Sequence, residues 1–187
     1  MALKIILCLI IVCELIGLAT RSFGRLLKTF IFYTQLSNLA AFLSACLLLV
    51  FGPSSFITAF RYLSVCMLWM TMLVTVFILV PTIKNTKLLL WSRVGFTLHL
   101  LCPILNTVSY LFFEPHVSAH AIVIPAAVTL IYGVIMLYMN YIRKVDGPYP
   151  FLRVHNQSVT ATVLWILLLL VLISAIGSGV YFASAAF

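Results

Sequence analysis

Two polar intrusions interrupt otherwise apolar stretches of this chain: Tyr33-Thr34-Gln35-Leu36-Ser37-Asn38 and Leu98-His99-Leu100-Leu101-Cys102-Pro103. Polar groups are expensive in hydrocarbon, so residues placed there usually serve a function. A threonine hydroxyl becomes a nucleophile when a base takes its proton, and a neutral histidine is such a base. Together, Thr34 and His99 form the smallest kit for acyl chemistry: attack on an ester carbonyl, protonation of the leaving alcohol, and release of the acyl-threonine by water. Glu14 would act as the acidic member that orients the imidazole. Gln35, Ser37 and Asn38 are candidate hydrogen-bond donors to a developing oxyanion, with Asn106 as a further polar candidate. None of these steps requires a metal or an organic cofactor.

Positioning such a pair is the work of helices. Thr34, Ser37 and Asn38 fall at i, i+3 and i+4 and share one helix face, with Gln35 beside it. His99, Cys102, Pro103 and Asn106 fall at i, i+3, i+4 and i+7 and share another. Depth brings the two stripes together. Thr34 follows Lys28 by six residues and His99 follows Arg93 by six. At the helical rise, both lie roughly 9 Å in from those charges. Glu14 precedes Arg21 on a helix running the opposite way and lies roughly 10 Å in. Thr34, His99 and Glu14 are therefore expected in one layer. Helix-to-helix hydrogen bonding is the plainer use of such polar faces, and Ser37 and Asn38 taken alone fit it better.

Composition fixes the setting. Hydrophobic residues make up 65% of the chain and charged residues 7%, with mean hydropathy +1.25. Soluble domains carry roughly a quarter charged residues, so an all-α integral membrane protein is expected. Six spans fit a single transmembrane bundle, over 3–20, 31–51, 61–81, 89–113, 120–142 and 159–183, each near the ~20 residues that a bilayer core requires. Continuous apolar runs rather than alternation argue for helices over barrel strands. The first span, with Glu14 inside it and no small-residue cleavage pattern after it, is expected to be retained rather than cleaved as a signal peptide.

The net charge of +8 is a topology signal rather than a nucleic-acid signal. Arg21, Arg25, Lys28, Lys84, Lys87, Arg93, Arg143, Lys144 and Arg153 all fall on one side of the six-span arrangement; Lys4 and Arg61 fall on the other. The excess predicts cytoplasmic basic loops and both termini outside. No basic stretch interleaved with aromatics suits a nucleic acid.

The remaining features carry less. Cys8, Cys13, Cys46, Cys66 and Cys102 lie in apolar segments without paired spacing, as small buried hydrophobes do. Glu114, His116 and His120 have a spacing that zinc could use, but Pro115 and the loop position favour a solvated turn. Ala175, Gly179 and Ala183 recur every fourth residue and permit close helix packing without implying a dimer. The segment 143–158, with its Gly-Pro and Tyr-Pro steps, is expected to form a turn at the membrane interface. Nucleophile elbows, phosphate-binding loops and zinc-protease motifs are absent from the sequence.

Taken in order, Tyr33-Thr34-x-x-Ser37-Asn38, Leu98-His99 with Pro103, Pro125 with Tyr132, and Pro148-Tyr149-Pro150-Phe151 resemble the bacterial six-helix branch of the androgen-induced membrane protein family, which includes the androgen-dependent TFPI-regulating protein. The resemblance runs from the second span to the last loop. It implies a multipass hydrolase of fatty acid esters of hydroxy fatty acids in a bacterial cell membrane. It maps the family's threonine nucleophile onto Thr34 and its histidine onto His99. The expected partners are a lipid or fatty-acyl ester and the bilayer. A small proton-coupled carrier using His99 and Glu14, and a non-catalytic scaffold, are the rival expectations.

Overall fold

The computed structural model describes residues 1–22, 30–84 and 86–186. Arg25 and Lys28, and the side chain of Arg21, lie outside the described residues. Six long helices carry the chain, and no strand occurs among the described residues. They are α1 (Ala2–Ser22), α2 (Tyr33–Phe51), α3 (Ser55–Ile83), α4 (Arg93–Phe113), α5 (Ala119–Tyr141) and α6 (Val159–Ala186). Each is long and apolar enough to cross a membrane. The third helix begins earlier than the apolar run suggests. Ser54 caps it, its hydroxyl accepting from the Ile57 N–H at 3.3 Å, so Arg61 lies within the helix rather than at its mouth.

The most buried helix is α3. It packs against α2, α4 and α6, while α1 lies against α2 and α4, and α5 against α6. Leu7, Ile10, Ala45, Leu48 and Ile57 knit α1, α2 and the start of α3 together. A larger apolar core, including Tyr62, Met70, Phe151 and Ile173, joins α3 to α5, α6 and the connecting loop. Helix α6 is apolar all round and shows Leu164, Leu167, Leu168 and Val171 on its exposed face, a pattern that suits hydrocarbon rather than water.

Two of the six long helices are interrupted by a turn of π-helix, α3 at Thr75–Leu79 and α4 at Thr97–Leu101. Each turn ends two residues before a proline, Pro81 and Pro103. Proline has no N–H to offer the carbonyl four residues back, and its ring crowds that carbonyl. The wider turn relieves this: the N–H of Val80 reaches the Thr75 carbonyl and that of Cys102 reaches Thr97. In α4 the residue four before Pro103 is His99, so the proline sets the backbone from which the histidine projects.

The segment after α5 folds back onto the bundle instead of lying flat as a surface turn. Asn140 latches both ends, donating from Nδ2 to the Val145 carbonyl at 3.0 Å and accepting from the Val154 N–H at 2.8 Å. Gly147 permits the close crossing, because a Cβ there would lie 2.8 Å from the Leu152 carbonyl carbon and oxygen. A short 3₁₀ turn at Pro150–Leu152 follows. Tyr149, Phe151 and Leu152 end up buried.

Candidate active site

Thr34 occupies the first turn of α2. Phe32 caps that helix without a side-chain hydrogen bond, so the early N–H groups need partners from elsewhere. The loop supplies one. The Thr34 N–H donates to the Tyr149 hydroxyl at 3.3 Å, and the same hydroxyl lies 3.4 Å from Thr34 Oγ1. Two side chains hold the turn from the other end. Ser37 Oγ donates to the Thr34 carbonyl at 3.0 Å and pairs with Thr71 Oγ1 at 2.9 Å. Asn38 Nδ2 donates to the same carbonyl at 2.7 Å.

Thr34 lines a cavity of about 80 Å³ bounded by α2, α3, α5, α6 and the Tyr149 loop. Its walls are chiefly apolar, with Val74, Leu79, Leu137 and Leu169 among them. The other polar walls are largely spent on each other or on backbone. Tyr33 and Thr129 share a hydrogen bond of 2.7 Å, and the Tyr132 hydroxyl donates to the Ile31 carbonyl at 2.8 Å. Leu130 and Val134 line the cavity and are also exposed on the outer face of α5, so it opens toward the apolar exterior of the bundle.

His99 is 3% exposed and sits in the π turn of α4. Its Nδ1 lies 2.7 Å from the Leu89 carbonyl oxygen. A carbonyl only accepts, so Nδ1 carries the hydrogen, and a neutral ring then holds its basic lone pair on Nε2. This is the service an aspartate performs in a triad. His99 does not line the cavity, and among the described residues no hydrogen bond joins it to Thr34. Its π turn does pack against α2.

Glu14 is fully buried but stands at a different level. Helices α1 and α4 run antiparallel, and Gly17 abuts Leu98 so closely that a Cβ would collide with it. Three residues earlier on α1, the Glu14 carboxyl therefore meets Cys102 and Asn106, with Asn106 Nδ2 3.5 Å from Oε1. That is roughly 5–10 Å farther along α4 than His99. Among the described residues, Glu14 Oε2, both amide atoms of Gln35 and Asn38 Oδ1 find no hydrogen-bond partner.

Asn106 leads from Glu14 into a second polar cluster. Its Oδ1 accepts from Arg61 Nη1 at 2.7 Å. The Arg61 guanidinium is fully buried and grips Glu114 through Nε at 2.9 Å and Nη2 at 2.8 Å; Ser109 Oγ donates to the same carboxylate at 2.7 Å. Glu114 is thereby committed to an arginine rather than facing His116 and His120, and His116 Nδ1 pairs with Ser184 Oγ at 2.7 Å. The helix start at Ser55 and the Glu114–Arg61 complementarity were the available signals for this cluster. Tyr149 gave a weaker one, an aromatic between two prolines. No known protein family matches the chain, and no curated protein or solved structure is significantly similar to it.

Proposed function

We propose that the chain is an integral membrane protein, placed in a bacterial cell membrane with its basic loops cytoplasmic, and that it hydrolyses lipid esters of the fatty acid ester of hydroxy fatty acid class. The observation that carries this is the Thr34 hydroxyl on the wall of an apolar cavity that opens to the bundle's exterior. An acyl chain occupies the cavity from the bilayer side and its ester carbonyl lies against Thr34. Thr34 Oγ attacks the carbonyl carbon as His99 Nε2 takes the hydroxyl proton. The intermediate collapses, the alkoxide leaves with that proton, and water repeats the sequence to free the acid. Among the described residues no hydrogen bond joins Thr34 to His99, so this reading requires their contact to form with substrate in place. The resemblance to the androgen-induced family supports the same two residues.

The test is covalent. Detergent-purified protein incubated with an alkyl fluorophosphonate is expected to gain the label on the peptide containing Thr34 and to hydrolyse branched fatty acid esters. Thr34→Ala and His99→Ala should each lower turnover by at least 100-fold. Labelling and turnover equal to the parent in both variants would sink the assignment.

The buried Glu14–Asn106–Arg61–Glu114 series favours a second reading, a small proton-coupled carrier. It predicts pH-driven flux in liposomes that Glu14→Gln abolishes while Thr34→Ala leaves it intact.

A further inference from the structure

The donors that sequence spacing offers to an oxyanion are spent or misplaced. Ser37 Oγ and Asn38 Nδ2 are both held on the Thr34 carbonyl, and neither residue nor Gln35 lines the cavity. Yet a tetrahedral intermediate in an apolar pocket needs a donor aimed at the new negative charge. One hydroxyl lies within reach of the nucleophile and also on the cavity wall, that of Tyr149, 3.4 Å from Thr34 Oγ1.

We propose that Tyr149 is a catalytic residue of this site, its phenol donating the hydrogen bond that stabilises the oxyanion formed when Thr34 attacks an ester. The inference rests on the hydrolase assignment above. In the step, Oγ–C bond formation pushes the carbonyl electron pair onto oxygen, the Thr34 proton goes to His99, and the oxyanion accepts from the Tyr149 O–H without taking its proton. Collapse returns the pair to the carbonyl and breaks the bond to the leaving alkoxide. A carbonyl bonded to Oγ places its oxygen in the neighbourhood the phenol already occupies. The ring is fixed for this purpose by an edge contact to Phe32, with centroids 6.1 Å apart, and by stacking on Phe151 at 5.2 Å. The Thr34 N–H, which points at the same hydroxyl, holds the phenol oxygen in register with the nucleophile.

A purely structural tyrosine would cap α2 through that N–H and do nothing more. Tyr149→Phe separates the two, because it keeps both ring contacts. Solubilised parent, Tyr149→Phe and Thr34→Ala are compared on para-nitrophenyl decanoate, with a trifluoromethyl ketone as oxyanion-forming inhibitor and the matching unreactive alkyl ether as ground-state mimic. Expected for Tyr149→Phe is a kcat lower by roughly 100-fold with KM within about threefold. Ketone affinity should fall by a similar factor while ether affinity holds. If the parent turns over through Thr34 but Tyr149→Phe matches it in kcat and ketone affinity, the Tyr149 assignment alone is overturned. The same holds if ketone and ether affinities fall together. If the parent neither hydrolyses the ester nor labels at Thr34, the hydrolase assignment falls and takes the Tyr149 step with it.

Discussion

A general base, the role proposed for His99, needs a tautomer and a direction, and the ring receives the first from a backbone carbonyl. The 2.7 Å contact from Nδ1 to Leu89 fixes the proton on that nitrogen, leaving no vacancy for a carboxylate on the same side of the ring. Glu14, the acidic group that spacing suggested for the purpose, is engaged with Asn106. Glu14→Gln is therefore expected to keep ester turnover within about threefold of the parent. A triad carboxylate exchanged for its amide loses about 10⁴-fold in kcat, so turnover of the Gln variant decides which group orients the imidazole. At this scale the sequence made the burial of Thr34 and His99 legible, since a hydroxyl and an imidazole inside apolar runs stand out. It carried only a weak signal for Tyr149 and none for Leu89. A tyrosine in a Pro-rich turn resembles any interfacial aromatic, and a carbonyl contributed by the segment before α4 has no signature in residue type.

The six apolar runs and their helical character were legible because a span needs length and hydrophobicity, and both are visible in composition along the chain. What the spacing missed lies in local backbone chemistry. Uniform 3.6-residue periodicity cannot register a π turn, although Pro103 marks where one forms. Proline at 81 and 103 strips a donor from each helix, and the widened turn re-aims the residues ahead of it. Pro103→Ala restores the missing N–H toward the His99 carbonyl and draws the turn back to α geometry. Turnover should fall at least tenfold while the thermal midpoint holds or rises, because a displaced base costs rate without costing packing. Turnover and melting measured on one preparation check this; a parallel loss of both would mean that the proline serves the fold instead. Likewise, Gly-Pro and Tyr-Pro steps announced a bend after α5, but a bend does not say which side chains turn inward. The Asn140 latch and the crossing at Gly147 decide that.

Across the whole bundle, two polar systems lie on either side of α3. One is the ion pair of Arg61 and Glu114, with side chains 0% and 1% exposed. The apolar setting reads Arg61 as an outer loop charge until the helix is seen to start at Ser55, which places it inside the span. Losing one partner of such a pair strands a buried charge, so Arg61→Met should destabilise by about 3–5 kcal/mol, and Arg61→Met with Glu114→Met should recover most of it. Thermal melts of both variants in one detergent measure the difference.

The other system is the Thr34 cavity, which α5 and α6 help to line and which Leu130 and Val134 connect to the exposed face of α5. Gly133 lines it, and a Cβ built there meets no atom within 4 Å. Gly133→Phe would place a ring in that open space with little strain, so stability should move by less than about 1 kcal/mol. On the proposed hydrolase reading, obstruction of the approach along α5 should then fall on the acyl chain and not on the chemistry. Turnover of a decanoyl ester is expected to drop at least tenfold, while an acetyl ester, which needs only the space beside Thr34, keeps its rate within about threefold. Equal loss on both esters would place the damage at Thr34 itself. Equal retention would move the acyl path away from α5, since Gly133 is where that helix lines the cavity with open space before it.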